Sequence, residues 1–93
     1  MSNTTASVKV PVKSYPGVKH VETAPNYKLM LEFDNGEKKV FDVTPLLSIG
    51  RFQTLTAIEV FKKVHVSFDT VEWENGLDLD PEYLYEQSLL LQK

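Results

Sequence analysis

Apolar and polar side chains alternate along most of this chain in short runs parted by turn residues. Tyr27, Leu29, Leu31 and Phe33 interleave with Lys28, Met30 and Glu32, the two-residue period of a half-buried strand. Gly17 to Thr23 predicts an earlier strand, with Ala24-Pro25-Asn26 as the turn between them. A third run, Lys38 to Val43, follows Asp34-Asn35-Gly36-Glu37. Asn-Gly between two alternating runs predicts a tight hairpin of type I′, which needs positive φ at both central residues. Val64, Val66 and Phe68 alternate with His65, Ser67 and Asp69, predicting a fourth strand with Phe68 on its apolar face. Val71 and Trp73, set against Glu72 and Glu74, predict a fifth, closed by Asn75-Gly76.

Helix signals fill the gaps. Thr44-Pro45 opens a short turn through Leu46 and Leu47, which Gly50 is placed to end. Thr56 and Glu59 have capping-box spacing, and Leu55 with Val60 has the spacing of a hydrophobic staple, predicting a helix over 57–63. Asp80-Pro81-Glu82 is a third start. The Asp80 carboxylate can accept a free backbone N–H, Pro81 needs no donor at the first helical position, and Glu82 suits the positive end of the dipole. Losing such a cap costs about 1 kcal/mol. From Pro81 the helical period puts Leu84, Ser88 and Leu91 on one face, flanked by Tyr85 and Leu89. Leu90 falls outside that stripe, so Leu89-Leu90-Leu91 is wider than one core face requires. Such a cluster either frays or is buried against a partner. Together these elements predict an α+β fold: an antiparallel sheet of about five strands with two or three short helices packed on it. Residues 15–93 form one domain in this reading, and residues 1–14, rich in Ser, Thr, Lys and Val, form a flexible N-terminal arm.

Composition narrows the class. At 93 residues, 42% hydrophobic and 11% aromatic, the chain can bury one small core. A domain of this size has little stability in reserve, which makes self-association a plausible supplement. Cysteine is absent, so disulfides, zinc–thiolate sites and thiol catalysis are excluded. No apolar run reaches membrane-spanning length, and the first residues lack the apolar core of a signal peptide. A cytoplasmic protein is expected. The net charge of −3 gives no general reason to bind nucleic acid. The charge is uneven, however: residues 67–93 hold seven acids against one lysine, while residues 1–20 hold three lysines and no acid.

Candidate chemistry is sparse. Asp78-x-Asp80-x-Glu82 has the spacing of the first ligands of a calcium loop, but Gly76 precedes it and Pro81 interrupts it. A capped helix start with solvated acids is the simpler account. Ser67, His65 and Asp69 supply the residue types of a triad, yet they alternate on one run and would all face outward, too open to shift a pKa. His20 and His65 read as surface imidazoles. Trp73, Tyr83 and Tyr85 could stack a base, but they lie in the most acidic part of the chain, which would repel phosphates. The four glycines, at 17, 36, 50 and 76, form no phosphate loop. No cofactor is expected.

The order of these pieces resembles a bacterial family catalogued as domain of unknown function 2442. The matching residues are Tyr27-x-Leu29-x-Leu31-x-Phe33-x-Asn35-Gly36, then Phe41-Asp42-Val43-x-Pro45-Leu46-Leu47 and Gly50-x-Phe52-x-x-Leu55. They continue through Phe61, Val71-Glu72-Trp73 and Asp78-x-Asp80-Pro81-Glu82-x-Leu84-Tyr85. Glu74 stands where the family pattern has proline. The resemblance covers roughly residues 16–86 and implies an α+β fold without a defined activity. It implies a setting beside small toxin-like proteins, hence an antitoxin or regulatory partner. Some longer relatives add a helix-turn-helix, which is not found here, so no direct nucleic-acid contact is expected.

The favoured expectation is a non-catalytic protein-interaction module. It would be the antitoxin-like or regulatory partner of a small basic protein, making contact through Asp78, Asp80, Glu82, Tyr83, Tyr85, Leu89, Leu90 and Leu91. Two alternatives stand beside it: a small-ligand-binding or enzymatic domain using the Trp73 region, and a homodimeric structural domain.

Overall fold

The computed structural model describes residues 15–91, and the predicted arm at 1–14 lies outside them. The strands are β1 (Val18–Ala24), β2 (Lys28–Phe33), β3 (Lys38–Asp42), β4 (Val64–Ser67), β5 (Thr70–Trp73) and β6 (Leu89–Leu90). Two 3₁₀ turns, Thr44–Leu46 and Gly50–Thr56, lead into helix α1 (Ile58–Phe61), and helix α2 spans Pro81–Gln87. The fold is α+β and antiparallel, as the alternation predicts. The strands divide into a four-stranded sheet in the order β1-β2-β3-β6 and a separate β4-β5 hairpin.

One face of the larger sheet is the core wall. Leu29, Leu31, Phe33 and Phe41 are buried there, and Val71 and Trp73 meet them from the hairpin. Leu55, Phe61, Leu77, Leu79 and Leu84 close the space between. The Trp73 indole is fully buried and donates to the Phe61 carbonyl at 2.9 Å, so its polar edge is satisfied where water cannot reach. α2 lies over the same wall: the Phe33 and Tyr85 rings meet edge to face at 5.0 Å, and Phe41 and Tyr83 at 6.0 Å. The opposite face stays open along His20, Glu22, Lys38 and Asp42. No helix among the described residues is long and apolar enough to cross a membrane.

The hairpins depart from the expected turn chemistry. Gly36 has φ +91° but Asn35 does not have positive φ, so the β2-β3 connection is not type I′. The Gly36 N–H donates to Phe33 O at 2.9 Å and the Phe33 N–H to Glu37 O at 2.9 Å. That makes a three-residue loop whose last position is the left-handed glycine. The same device recurs after β5. The Gly76 N–H donates to Trp73 O at 2.9 Å, the Trp73 N–H to Leu77 O at 2.8 Å, and Gly76 has φ +93°. Aromatic–acid–Asn–Gly therefore encodes one loop twice, and the second returns the chain along β5 with Asp78 bridged to Glu72.

Three further expectations are corrected. Thr56 does not cap α1: its hydroxyl turns back to Gln53 O at 2.8 Å, Ala57 occupies the cap position, and α1 is a single turn. Gly50 does not end the Pro45 turn but opens the next one. The last helix does not run through the leucines. It ends at Gln87, where Ser88 turns extended (φ −81°, ψ 157°), and Leu89 and Leu90 join the sheet as β6. The Asp80 cap forms as expected, its Oδ2 accepting from the Tyr83 N–H at 2.9 Å.

Candidate functional site

The candidate surface is built outward from β3. Its Lys39 points to the core wall between Phe33 and α2 and is only 7% exposed. A buried ammonium needs partners. Lys39 Nζ donates to the Tyr85 carbonyl at 2.7 Å and lies 3.7 Å from the Tyr85 ring centroid. It thus satisfies a carbonyl in the last turn of α2, where a cation is favoured by the dipole. The Ser88 hydroxyl donates to the same carbonyl at 3.0 Å. The Tyr85 hydroxyl in turn donates to Glu37 Oε1 at 2.6 Å. That bond, with the Asn35 amide and the nearby Lys39 charge, lowers the Glu37 pKa, and it raises that of Tyr85. Asp42 is lowered as well, by the Thr44 hydroxyl and backbone N–H and then by Lys28.

This clamp fixes the end of α2 against β3 and so delivers the next residues to the sheet edge. Leu89 lies opposite Val40, Leu90 opposite Lys39, and the Leu91 N–H donates to Lys38 O at 3.0 Å. The three leucines are 70%, 53% and 41% exposed, whereas Leu29, Leu55 and Leu84 are fully buried. Directly opposed residues share a face. The register therefore sets Glu22, Met30, Val40 and Leu89 in one row across the open side. Leu91 joins His20, Glu22, Met30 and Lys38 around a shallow hollow of about 200 Å³. The apolar strip is therefore continuous from the middle of the open face to the free edge.

The residues expected from sequence fall into two groups. Leu89, Leu90 and Leu91 make the edge, while Tyr83, 40% exposed, meets Phe41 on the α2 side of the sheet. Asp78, Asp80 and Glu82 lie at the other end of α2. There Asp80 is occupied as a cap, and Asp78 belongs to the return strand. Tyr85 is a clamp residue rather than a free contact. Of Ser67, His65 and Asp69, His65 faces Glu72 at 3.4 Å, and Asp69 sits in the β4-β5 turn rather than on the strand, its carbonyl accepting from the Val18 N–H. His20 pairs with Glu22 at 3.1 Å. Among the described residues no three His, Asp or Glu gather in a way that could hold a metal ion.

Sequence reasoning missed Phe68. It does not continue the apolar face of β4 but sits in a two-residue turn, 98% exposed, with φ +54°. It also passed over Met30 and Val40, whose places on the nominally polar side of their strands were visible signals.

A family model described as protein of unknown function (DUF2442) matches residues 18–89. The chain belongs to this family. The match spans β1 through Leu89 and so includes the clamp and the start of the edge strand. No curated protein and no solved structure matches this DUF2442 chain.

Proposed function

We propose that this DUF2442 protein is a non-catalytic interaction module whose contact surface is the β6 edge and the strip of Met30 and Val40 beside it. The observation that carries the reading is the placement of three consecutive exposed leucines on a sheet edge that a buried lysine clamp holds in position. Contiguous apolar surface of this kind marks an interaction site when polar groups rim it. Here His20, Glu22 and Lys38 form that rim. A regulatory, antitoxin-like role toward a small basic protein fits the acidity of residues 67–93, which carry seven of the thirteen acids. The Trp73 alternative has no comparable support, because that side chain is enclosed and its N–H is spent on Phe61.

Affinity capture with the full chain, followed by affinity measurement on the captured protein, tests the reading. L89E/L91E is expected to weaken that interaction at least tenfold. A charge reversal at Glu72 and Glu82 should slow association and flatten its salt dependence. Unchanged binding by the leucine variant overturns the assignment.

A further inference from the structure

The two edges of the four-stranded sheet are built differently. At β1 the ladder is irregular between Val18 and His20, and Lys19 and Glu22 present charge. The start of β1 is also tied to the β4-β5 turn through the Val18 N–H and the Asp69 carbonyl. A bulge, charged side chains and a covering segment are the devices that stop an edge from pairing with another strand. At β6 and the residue that follows it stand Leu89, Leu90 and Leu91, with no charge, no proline and no register break.

The ladder also fixes which backbone groups are available there. The Leu91 N–H bonds to Lys38 O, so Lys38 and Leu91, and next Val40 and Leu89, are the hydrogen-bonded pairs. Leu90, opposite Lys39, is a pair of the other kind. Its N–H and C=O point away from β3, toward the open side.

We infer that β6 takes a second copy of this chain, antiparallel, about a two-fold axis through Leu90. This rests on the reading of β6 as a contact surface: in the free protein a second copy covers the edge, weakly enough for a partner protein to displace it. Leu90 then exchanges both backbone hydrogen bonds with its symmetry mate. Leu89 of each copy lies opposite Leu91 of the other, on the same side of the sheet as Met30 and Val40. The Leu-Leu-Leu run reads the same in both directions, so the symmetry closes without setting like charges face to face. Asp78, Asp80 and Glu82 lie at the far end of α2, away from the axis. The product is one eight-stranded sheet, within the usual size range. The contact is short, so association should be weak, with Kd on the order of micromolar or above.

Light scattering and sedimentation of the full chain from about 5 μM to about 1 mM span that range. The expected result is a monomer that becomes a dimer, with the Leu90 amide gaining hydrogen-exchange protection as concentration rises. L89K/L91K places like charges opposite each other and should weaken association at least tenfold. L89K/L91E places opposite charges across the same axis and should restore it. Both positions face solvent, so the melting temperature checks that each variant stays folded. A monomer at every concentration overturns the inference, as does a Leu90 amide already protected in the monomer, which would mean that an intramolecular segment holds the edge. Failure of L89K/L91E to restore association overturns the two-fold register. The interaction-module reading falls separately, by leucine-independent binding of a captured partner.

Discussion

Phe68 is the residue least explained by the fold. It follows Val64 and Val66 in step, and that step places it on a buried face. The turn between Ser67 and Thr70 takes it out of the strand instead: the β4-β5 register pairs those two residues directly, which leaves Phe68 and Asp69 as the loop. Nothing in Phe-Asp announces a turn of this kind, whose first position favours glycine. Holding a phenylalanine at φ +54° costs on the order of 1–2 kcal/mol. F68G should therefore raise the melting temperature by about 5 °C or more, read by thermal unfolding, although it deletes an aromatic ring. A lower melting temperature would mean that the ring makes contacts in solution that stabilise the fold. Other single residues were fully legible: the Asp80 cap and the burial of Trp73 follow from local chemistry alone. Lys39 was not, since its position on the core wall depends on α2 arriving above it.

At the scale of elements, the first five strands were readable, but β6 and the element ends were not. Alternation in Tyr27–Phe33 and Val71–Trp73 reports the core directly, because one face of each strand is buried. The three leucines read from sequence as the end of the last helix, and it is the edge of β3 that takes Leu89 and Leu90 as a strand instead. Tertiary pairing also limits α2 to seven residues, too short to be stable by itself. Its hold on β3 includes the Glu37–Tyr85–Lys39 clamp, which gives the fold a dependence on pH. Glu37 has a lowered pKa, so its contribution is present above the unfolded glutamate value, near 4.3, and is lost as pH falls through the lower folded value. Tyr85 has a raised pKa, so its contribution is present below the usual tyrosine value and is lost as pH rises through the folded one. Thermal unfolding from neutral pH down to about 3 should show wild type losing more stability than E37Q, while Asp42 adds the same acid loss to both. Parallel curves for the two proteins would remove the clamp from the account.

For the molecule as a whole, the α+β class and a single core could be read from the sequence, because both follow from alternation summed along the chain. The division into a four-stranded sheet and a separate hairpin could not, since it turns on β1 meeting the β4-β5 turn through one backbone bond rather than through a ladder. The candidate surface was half legible. The leucines stood out as surplus to a helix, but their alignment with Met30 and Val40 required the register of four strands. One consequence follows from the amine enclosed beneath the Tyr85 ring. Reagents that acylate lysines should modify Lys19, Lys38, Lys62 and Lys63 quickly, since these are exposed, and Lys39 last. Mass spectrometry of a labelling time course would then read the late step as a clock for α2 lifting from the sheet, without any engineered probe.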